Sequence, residues 1–303
     1  MIGRLSDIDL RLLRVFAAVV DAGGFSLATA KLNVAESTIS QHMTDLEKRL
    51  GMRLCDRGRG GFRLTKNGEH VYRLTIDLLT EIERYRDQVA SVRSEVSGTL
   101  RLGLPDGIIT HRACGLQYAI ATYLSQYPEI NLEVEMATPR ALEKAVLEGR
   151  LHLAVAPEHR RVAGLNFRPL FAERNALFCG HDHPLFRLAD ADIEDSLLTG
   201  AGRIARGYLD RFDEHFFPDP DYRATVHQIE AAALLILSGS CIGFLPEHFA
   251  AYYVASGQMR AIRPEHYTFE SAFGSISKPG LAQDPRIANL IALLETQSRD
   301  ATA

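Results

Sequence analysis

A short segment between positions 36 and 44 of this 303-residue chain combines small hydroxyl and amide side chains at helical spacing. Apolar residues that recur every three or four positions would bury one face of a helix and leave the polar side chains on the other. Hydroxyl and amide groups near a helix N-terminus can form hydrogen bonds to base edges in the major groove of DNA. A helix that only packs against a neighbour would more often expose Lys and Glu. The candidates for base contact are Ser37, Thr38, Ser40, Gln41 and Thr44.

Two helices joined by a tight turn would position these side chains. The first is predicted to begin at Ser26, a residue type that caps helix N-termini, and to close at Asn33 in a left-handed conformation. This pattern predicts a DNA-binding helix-turn-helix, and an ordinary antiparallel helix pair is the alternative. The second helix would bury Ile39, Met43, Leu46 and Leu50.

An arginine-rich hairpin is predicted directly after the helix pair, over residues 53–65. Glycines at its centre separate two short apolar ends, as in a β-hairpin. Its arginines face a single acid, Asp56. A basic hairpin beside a helix-turn-helix suits contact with phosphates or the minor groove, and an ordinary solvated surface is the alternative. The candidates for phosphate contact are Lys31, Arg57, Arg59 and Arg63.

Charge is divided unevenly along the chain, whose formal net charge is −4. Residues 1–65 carry ten Lys or Arg and seven Asp or Glu, a net charge of +3. The remaining residues carry 24 basic and 31 acidic side chains, a net charge of −7. Attraction for phosphate is therefore concentrated around the helix-turn-helix.

A long helix is predicted from Lys66, capped by Thr65 and closed by Ser97 and Gly98. Its apolar residues alternate spacings of four and three, which is typical of a coiled coil. The pattern favours dimerisation through this helix, and packing against its own domain is the alternative. The heptad positions are Val71, Thr75, Leu78, Ile82, Tyr85, Val89, Val92 and Val96.

Strands and helices alternate beyond Gly98, which predicts an α/β region with parallel sheets. A further helix is expected from His111 to Gln126 and a last one from Pro285 to Gln297. The predicted strands are 99–104, 130–136, 151–156, 165–170, 175–179, 196–199, 222–226, 241–245, 259–263 and 271–277.

The run from Thr38 to Glu69, TISQHMTDLEKRLGMRLCDRGRGGFRLTKNGE, resembles the N-terminal domain of LysR-type transcriptional regulators. Residues 141–157, 183–185 and 238–248 resemble landmarks of that family's effector-binding domain. The resemblance implies a winged helix-turn-helix with a long linker helix, followed by an α/β two-lobe effector domain like a periplasmic binding protein. The chain departs from the family pattern at two positions, where the family often has serine and phenylalanine: Ala35 and Cys55.

The resemblance also implies a division of the chain and a set of partners. It predicts a homodimer through the linker helix at 66–96, assembling into a tetramer on double-stranded DNA, with a small-molecule effector and no membrane. RNA polymerase is left open as a further partner. The expected parts are a DNA-binding domain at 1–65, a linker at 66–97, and an effector domain at 98–303, with lobe I at 98–164 and 269–303 and lobe II at 165–268.

Effectors of two-lobe α/β domains bind outside the carboxyl ends of the strands. The loop at Arg203 is expected to follow a strand at 196–199, and Thr138 would open a helix where free N–H groups can hold an anion. Asp106 would disfavour a simple carboxylate effector unless Arg203 or another base offsets its charge. The candidates, in part by the family resemblance, are Asp106, Thr110, Thr138, Arg203, His227 and Phe244.

Other classes of protein find little support in the residues. Metal-ligand or catalytic spacings such as HExxH and GxSxG are lacking, and the four cysteines form no CxxC, so no metal, resident cofactor or catalytic residue is predicted. Buried thiols are favoured over a redox switch. A cytoplasmic location is expected because no secretory signal is evident. An α/β enzyme with an accessory helix-turn-helix, and a constitutive DNA binder with a vestigial sensor, remain the alternatives.

Overall fold

The computed structural model describes residues 6–58, 61–91, 96–158, 160–207, 215–217 and 222–300. Contacts within the chain separate it into two units, Met1–Val89 and Ala90–Ala303. Among the described residues, no single helix is long and apolar enough to cross a membrane. The first two helices reach the required length and apolar character only when they are counted as one segment, and they are bent by 117° relative to each other.

The first unit is a three-helix domain with a β-hairpin and a following long helix. The helix-turn-helix prediction is confirmed in its element order. The first helix of the pair begins two residues earlier than predicted, because Gly24 rather than Ser26 is its N-cap. Asn33 closes it at φ 51°, as expected. The elements are α1 (Asp7–Ala22), α2 (Phe25–Leu32), α3 (Glu36–Leu50), β1 (Cys55–Gly58), β2 (Gly61–Leu64) and α4 (Lys66–Ser91).

A small apolar core joins α1, α3 and the hairpin. Phe16 of α1 and Met43 of α3 are fully buried and pack with Leu54 just before β1. Cys55 is also buried in this core, where it pairs with Leu64 across the hairpin. The aromatic rings of Phe25 and Phe62 meet edge to face at 5.8 Å. The hairpin is therefore held against the helix pair by apolar contacts.

Helix α4 packs partly on its own domain. Its predicted cap is present, since the Gly68 amide donates to Thr65 Oγ1 at 3.0 Å. Val71 and Leu78 contact the core of the first unit, and Thr75 is buried. These three heptad positions therefore pack within the first unit, as expected from the alternative interpretation that this helix packs against its own domain.

The carboxyl end of the predicted coiled coil differs from expectation. Val92 lies outside the described residues. Val96, predicted to continue the heptad, packs instead against the core of the second unit. The exposed apolar residues on the described part of the helix are Leu74, Tyr85 and Val89.

The second unit is an α/β domain built on one mixed sheet. Its first half contains β3 (Gly98–Leu104), α5 (Leu116–Gln126), β4 (Ile130–Met136), α6 (Pro139–Leu147), β5 (Leu153–Pro157) and β6 (Asn166–Gly180). Next come α7 (Asp195–Thr199), β7 (Arg203–Arg206), β8 (Tyr222–Val226), α8 (Ile229–Leu237), β9 (Ile242–Pro246) and α9 (Glu247–Ala255). The last elements are β10 (Met259–Ala261), β11 (Thr268–Ser277) and α10 (Pro285–Asp300).

The strand order is β4-β3-β5-β11-β6-β9-β7-β8, with β10 also paired to β6. Strands β3, β4 and β5 run parallel, as do β7, β8 and β9. The two long strands at the centre, β6 and β11, are antiparallel to each other and to their neighbours β9 and β5. The prediction of parallel sheets thus holds for each group of three strands but not for the centre.

Separate cores surround the two groups of strands, which we call the first lobe and the second lobe. In the first lobe, buried side chains of β3 and β5 pack with helices α5 and α10. In the second, β9 and helix α8 contribute to one core, while aromatic residues fill another. Strands β6 and β11 extend through both lobes and connect them. All four cysteines are buried, as expected.

Four predicted elements differ from the structure. Residues 165–170 and 175–179 belong to one strand, β6, rather than two. Residues 196–199 lie in the short helix α7, not in a strand. The helix expected from His111 begins at Leu116, after two 3₁₀ turns.

Candidate functional site

Helix α3 presents a polar outer face. Ser37, Thr38 and Gln41 are exposed and Ser40 and Thr44 are half-buried, on the side opposite the buried Ile39, Met43 and Leu46. Its N-cap, Ala35, has no capping side chain, and its carbonyl accepts from the Thr38 and Ile39 amides. Glu36 supplies a negative charge in the first turn, which favours the helix N-terminus through the macrodipole.

Hydrogen bonds along α3 determine what some of these side chains can offer. Thr44 Oγ1 donates to the Ser40 carbonyl at 2.9 Å, so its hydroxyl proton is used within the helix. Thr44 therefore presents a methyl group and an acceptor oxygen. Gln41 Nε2 donates to Asp45 Oδ1 at 2.9 Å.

An ion pair fixes α3 to α1. Arg49 Nη2 donates to Asp9 Oδ2 at 3.0 Å, and Asp9 also accepts from the Ser6 amide at 2.8 Å. The hydrogen bonds from Arg49 and then from Ser6 hold the pKa of Asp9 well below its ordinary value. The same carboxyl-terminal end of the helix also contacts the segment before the hairpin, because Glu47 Oε1 accepts from the Leu54 amide at 2.8 Å. Both contacts orient the polar face relative to the rest of the domain.

The basic candidates lie around this helix. Lys31 is exposed and lies 3.4 Å from Asp21 Oδ2, and Arg63 is exposed on β2. Arg57 belongs to β1, and the structure describes its backbone. Arg59 lies outside the described residues. Asp21 also accepts a hydrogen bond from Tyr72 Oη, so the carboxylate beside Lys31 is anchored to α4.

In the second unit, the loop after β3 crosses from the first lobe to the second. Asp106 Oδ2 accepts a hydrogen bond from the Ile229 amide at the N-terminus of α8. Burial, followed by a hydrogen bond to the Glu230 carboxyl group, raises the pKa of Asp106 to about 6. An acidic group of the second lobe thus adds to the effect of burial on the Asp106 carboxyl group.

A second polar contact between the lobes begins at Thr110. Its hydroxyl lies 2.8 Å from His248 Nδ1, and His248 Nε2 lies 3.1 Å from Glu173 Oε2. Glu173 is buried on β6 and also accepts from Asn175 Nδ2 at 3.1 Å. The His111 ring contacts that of His248 at 4.6 Å, and burial lowers the pKa of His111 and favours its neutral form.

The cleft between these contacts is narrow. Its free volume is about 20 Å³, which is room for roughly one water molecule. In this conformation the cleft does not have room for a small organic molecule. The polar residues that line the cleft are Asp106, Glu173, Arg206 and Ser271, with Pro139 and Ile229 on its apolar side.

Some predicted effector residues lie around this cleft. Asp106 lines it, and Thr110 belongs to the neighbouring contact. Thr138 is the N-cap of α6, directly before Pro139 in the cleft wall. His227 follows β8, and its ring is so close to Gly207 that a Cβ there would lie 2.3 Å from Cε1.

The other two predicted effector residues lie elsewhere. Arg203 is at the start of β7, not after a strand, and its guanidinium lies 4.5 Å from the Phe217 ring. Phe244 is buried in the aromatic core of the second lobe, 5.1 Å from Phe216. The arginine at the carboxyl end of β7 is Arg206, and it lines the cleft.

Comparison with known sequences identifies the family. Residues 10–69 match the family described as bacterial regulatory helix-turn-helix protein, lysR family. Residues 93–299 match the LysR substrate binding domain. The chain belongs to the LysR family. It is therefore a DNA-binding transcriptional regulator with an effector-binding domain, and this family is not enzymatic.

Relatives of this LysR regulator cover nearly its whole length. It is 38% identical over 280 residues to the HTH-type transcriptional activator BauR of Pseudomonas aeruginosa, covering 92% of each chain. Its fold resembles that of ArgP from Mycobacterium tuberculosis, with a TM-score of 0.63, 20% identity, and coverage of 97% and 98%. Full-length CbnR in complex with its target DNA gives a TM-score of 0.61 at 18% identity, with coverage of 95% and 99%.

Several cleft residues of the LysR regulator escaped the sequence prediction. Arg206 was missed because β7 has only four residues, two of them arginines. Glu173 lies within β6, where a buried carboxylate has no local signal. His248 is the second residue of helix α9, and its position beside Thr110 depends on contacts between the lobes. Of these three residues, only Arg206 lies at the end of a strand. A search for polar residues at strand ends would therefore have found Arg206 but not Glu173 or His248.

Proposed function

We propose that α3 enters the major groove of a dyad-symmetric promoter site. Ser37, Thr38, Ser40 and Gln41 would contact base edges, with Thr44 offering its methyl group to a thymine. The outward face of α3 carries this proposal, because it offers hydrogen-bonding groups without long charged side chains between Ser37 and Thr44.

Contacts to phosphate would position the helix without specifying sequence. Lys31, Arg57, Arg59 and Arg63 supply the positive charge for this role. Exposed Lys31 and Arg63 flank the helix pair in the part of the chain that the structure describes. Binding should therefore weaken with salt, since counterions are released from the DNA.

The dyad symmetry would come from pairing of two chains through α4. Exposed Leu74, Tyr85 and Val89 on this helix are the apolar groups that a second copy would cover. A pair of such dimers would form the tetramer. In this proposal residues 1–65 form the DNA-binding domain, 66–97 the linker and 98–303 the effector domain.

We further propose that a small-molecule effector binds between the two lobes. Asp106, Thr110, Thr138 and His227 are retained as candidate contacts, and Arg206 replaces the buried Arg203. Binding would alter the contacts that Asp106 and Thr110 make across the cleft and so shift the balance between lobe geometries. The shift in lobe geometry would then change the DNA-bound assembly or its contact with RNA polymerase.

Selection of genomic DNA fragments by the purified full-length protein tests the first proposal. We expect enrichment of a motif with two-fold symmetry, and relaxation of one position per half-site for Gln41→Ala. Arg63→Ala should instead weaken binding to specific and random fragments alike and reduce the salt dependence. Salt-sensitive binding without an enriched motif would contradict the proposal.

Thermal unfolding of the same protein with metabolites grouped by the genes beside the selected sites tests the effector proposal. A ligand at a hundredfold excess over its dissociation constant should stabilise the protein by about 2.7 kcal/mol. The Arg206→Ala variant should lose this response. Unfolding and DNA binding that are indifferent to every metabolite would favour a constitutive DNA binder.

A further inference from the structure

The hydrogen bond between Gln41 and Asp45 restricts how Gln41 can meet a base. The two residues are one helical turn apart on α3, with Gln41 exposed and Asp45 half-buried. Gln41 Nε2 donates to Asp45 Oδ1 at 2.9 Å. An ionised carboxylate only accepts hydrogen bonds, so the pair forms only when the amide nitrogen of Gln41 faces Asp45.

A neighbouring contact keeps Asp45 available for this role. Arg49 is one turn further along α3, where it could pair with Asp45 as an i, i+4 partner. Its guanidinium instead binds Asp9 on α1, at 3.0 Å between Nη2 and Oδ2. The ion pair that fixes α3 to α1 therefore also leaves the Asp45 carboxylate to Gln41.

We propose that Asp45 is a positioning residue that makes Gln41 select adenine over guanine. With one N–H directed to Asp45, Gln41 offers its carbonyl oxygen and its second N–H to the DNA. Adenine presents a matching donor, N6, and acceptor, N7, in the major groove. Guanine presents two acceptors, N7 and O6, and O6 would face the carbonyl oxygen of Gln41. This inference rests on the proposed placement of α3 in the major groove.

Selection from a random DNA library with the full-length protein provides the test. The wild type should enrich adenine at the position that Gln41→Ala relaxes. Asp45→Asn keeps the shape of the side chain but can donate as well as accept, so Gln41 can then turn. We expect the preference for adenine over guanine to fall roughly fivefold there, equivalent to about 1 kcal/mol, the lower limit for one bidentate contact.

Matched variants separate positioning from charge. Asp45→Glu retains an acceptor-only group and should keep more of the adenine preference than Asp45→Asn. Asp7→Asn removes an equal charge from the exposed start of α1 and should leave the preference unchanged. In the Gln41→Ala background, Asp45→Asn should have no further effect on that position. A matching slope of affinity against salt for wild type and Asp45→Asn would show that phosphate contacts are retained.

Two results would overturn the inference in distinguishable ways. If Gln41→Ala relaxes a position but Asp45→Asn leaves the base preference intact, Asp45 does not position Gln41, and the base contact by Gln41 stands. If Gln41→Ala relaxes no position while a symmetric motif is still enriched, Gln41 itself does not contact a base. In that case both the inference and the proposed role of Gln41 are wrong.

Discussion

Asp106 joins the two lobes through a carboxyl group that another acid faces. It accepts from the Ile229 amide, which favours its charged form, while burial and Glu230 favour its neutral form. The second group of effects is larger, so the pKa of Asp106 is raised to about 6. At neutral pH Asp106 is therefore mostly in the charged form that burial and Glu230 disfavour.

A pH dependence of stability follows from this shift. The pKa in the folded protein exceeds the ordinary value of 3.8, so folding favours the protonated carboxyl group. The contribution of this protonated carboxyl group to the free energy of unfolding is complete below the ordinary pKa and is lost as pH rises through about 6. Between about pH 5 and about pH 7.5 the wild type should lose about 1 kcal/mol more than Asp106→Asn, a figure reduced for partial solvent screening.

Urea unfolding of both proteins at the two pH values measures this difference. Asn at position 106 can still accept from the Ile229 amide but does not titrate. Identical pH dependence in the two proteins would mean that Asp106 does not titrate in this range.

At the scale of the element, the first turn of α4 lies against the base of the hairpin. A Cβ at Gly68 would lie 1.9 Å from the Leu54 carbonyl oxygen, so only glycine allows this approach. The helix cap at Thr65 lies in the same turn and binds the Arg53 carbonyl at 2.9 Å. The hairpin and the long helix are therefore positioned by one close backbone contact.

Gly68→Ala should force these elements apart. We expect a loss of about 1–3 kcal/mol in unfolding free energy, typical of overpacking, and weaker DNA binding. Asn67→Ala changes an exposed residue of the same turn and should stay within about 0.5 kcal/mol of wild type. Denaturant unfolding of the full-length variants distinguishes them, and equal stability would show that the contact can relax.

The elements with strong local patterns were predictable from the sequence, and those set by distant contacts were not. Ile39, Met43 and Leu46 repeat at helical spacing, which predicted α3 correctly. Strand β6 was predicted as two strands separated at 171–174, where the charged residues Glu173 and Arg174 stand between apolar segments. Pro169 is tolerated beside a register shift of the β6–β11 ladder, where no amide hydrogen is required.

The residues of the candidate sites divide in the same way, into those with a local sequence pattern and those placed by contacts between distant parts of the chain. The polar face of α3 is a property of one helix, so its residues could be named from spacing alone. The cleft is assembled from strands and helices far apart in the chain, and Phe244 shows the consequence. It lies within the predicted strand 241–245 and was expected to line the cleft, but its ring packs in the second-lobe core.

At the scale of the whole molecule, the proposed dimer depends on the outer face of α4. Tyr85 is 67% exposed and Val89 is 51% exposed, which is unusual for large apolar side chains along one helix. Pairing of two chains would remove both from water. In the amino-terminal half of the helix, Val71, Thr75 and Leu78 are unavailable for this, because they are packed within the domain, whereas Leu74 is exposed.

Val89→Asp should therefore weaken the dimer. Burying an unpaired carboxylate in the interface should raise the dissociation constant at least about tenfold, or about 1.4 kcal/mol. Arg73→Glu changes charge at an exposed position on the same helix and should have little effect. Sedimentation at a series of protein concentrations measures both, and an unchanged dimer in Val89→Asp would exclude this face.

The two strands that connect the lobes also decide what kind of motion the effector domain can make. Strands β6 and β11 are paired from Asn166–Ser277 to Ala176–Thr268, across the boundary between the lobes. A loop hinge folds freely about a point, whereas a hydrogen-bonded ribbon resists folding and yields most easily to twisting about its length. We therefore expect the two lobes to rotate about the length of the β6–β11 ribbon rather than to close about a loop hinge.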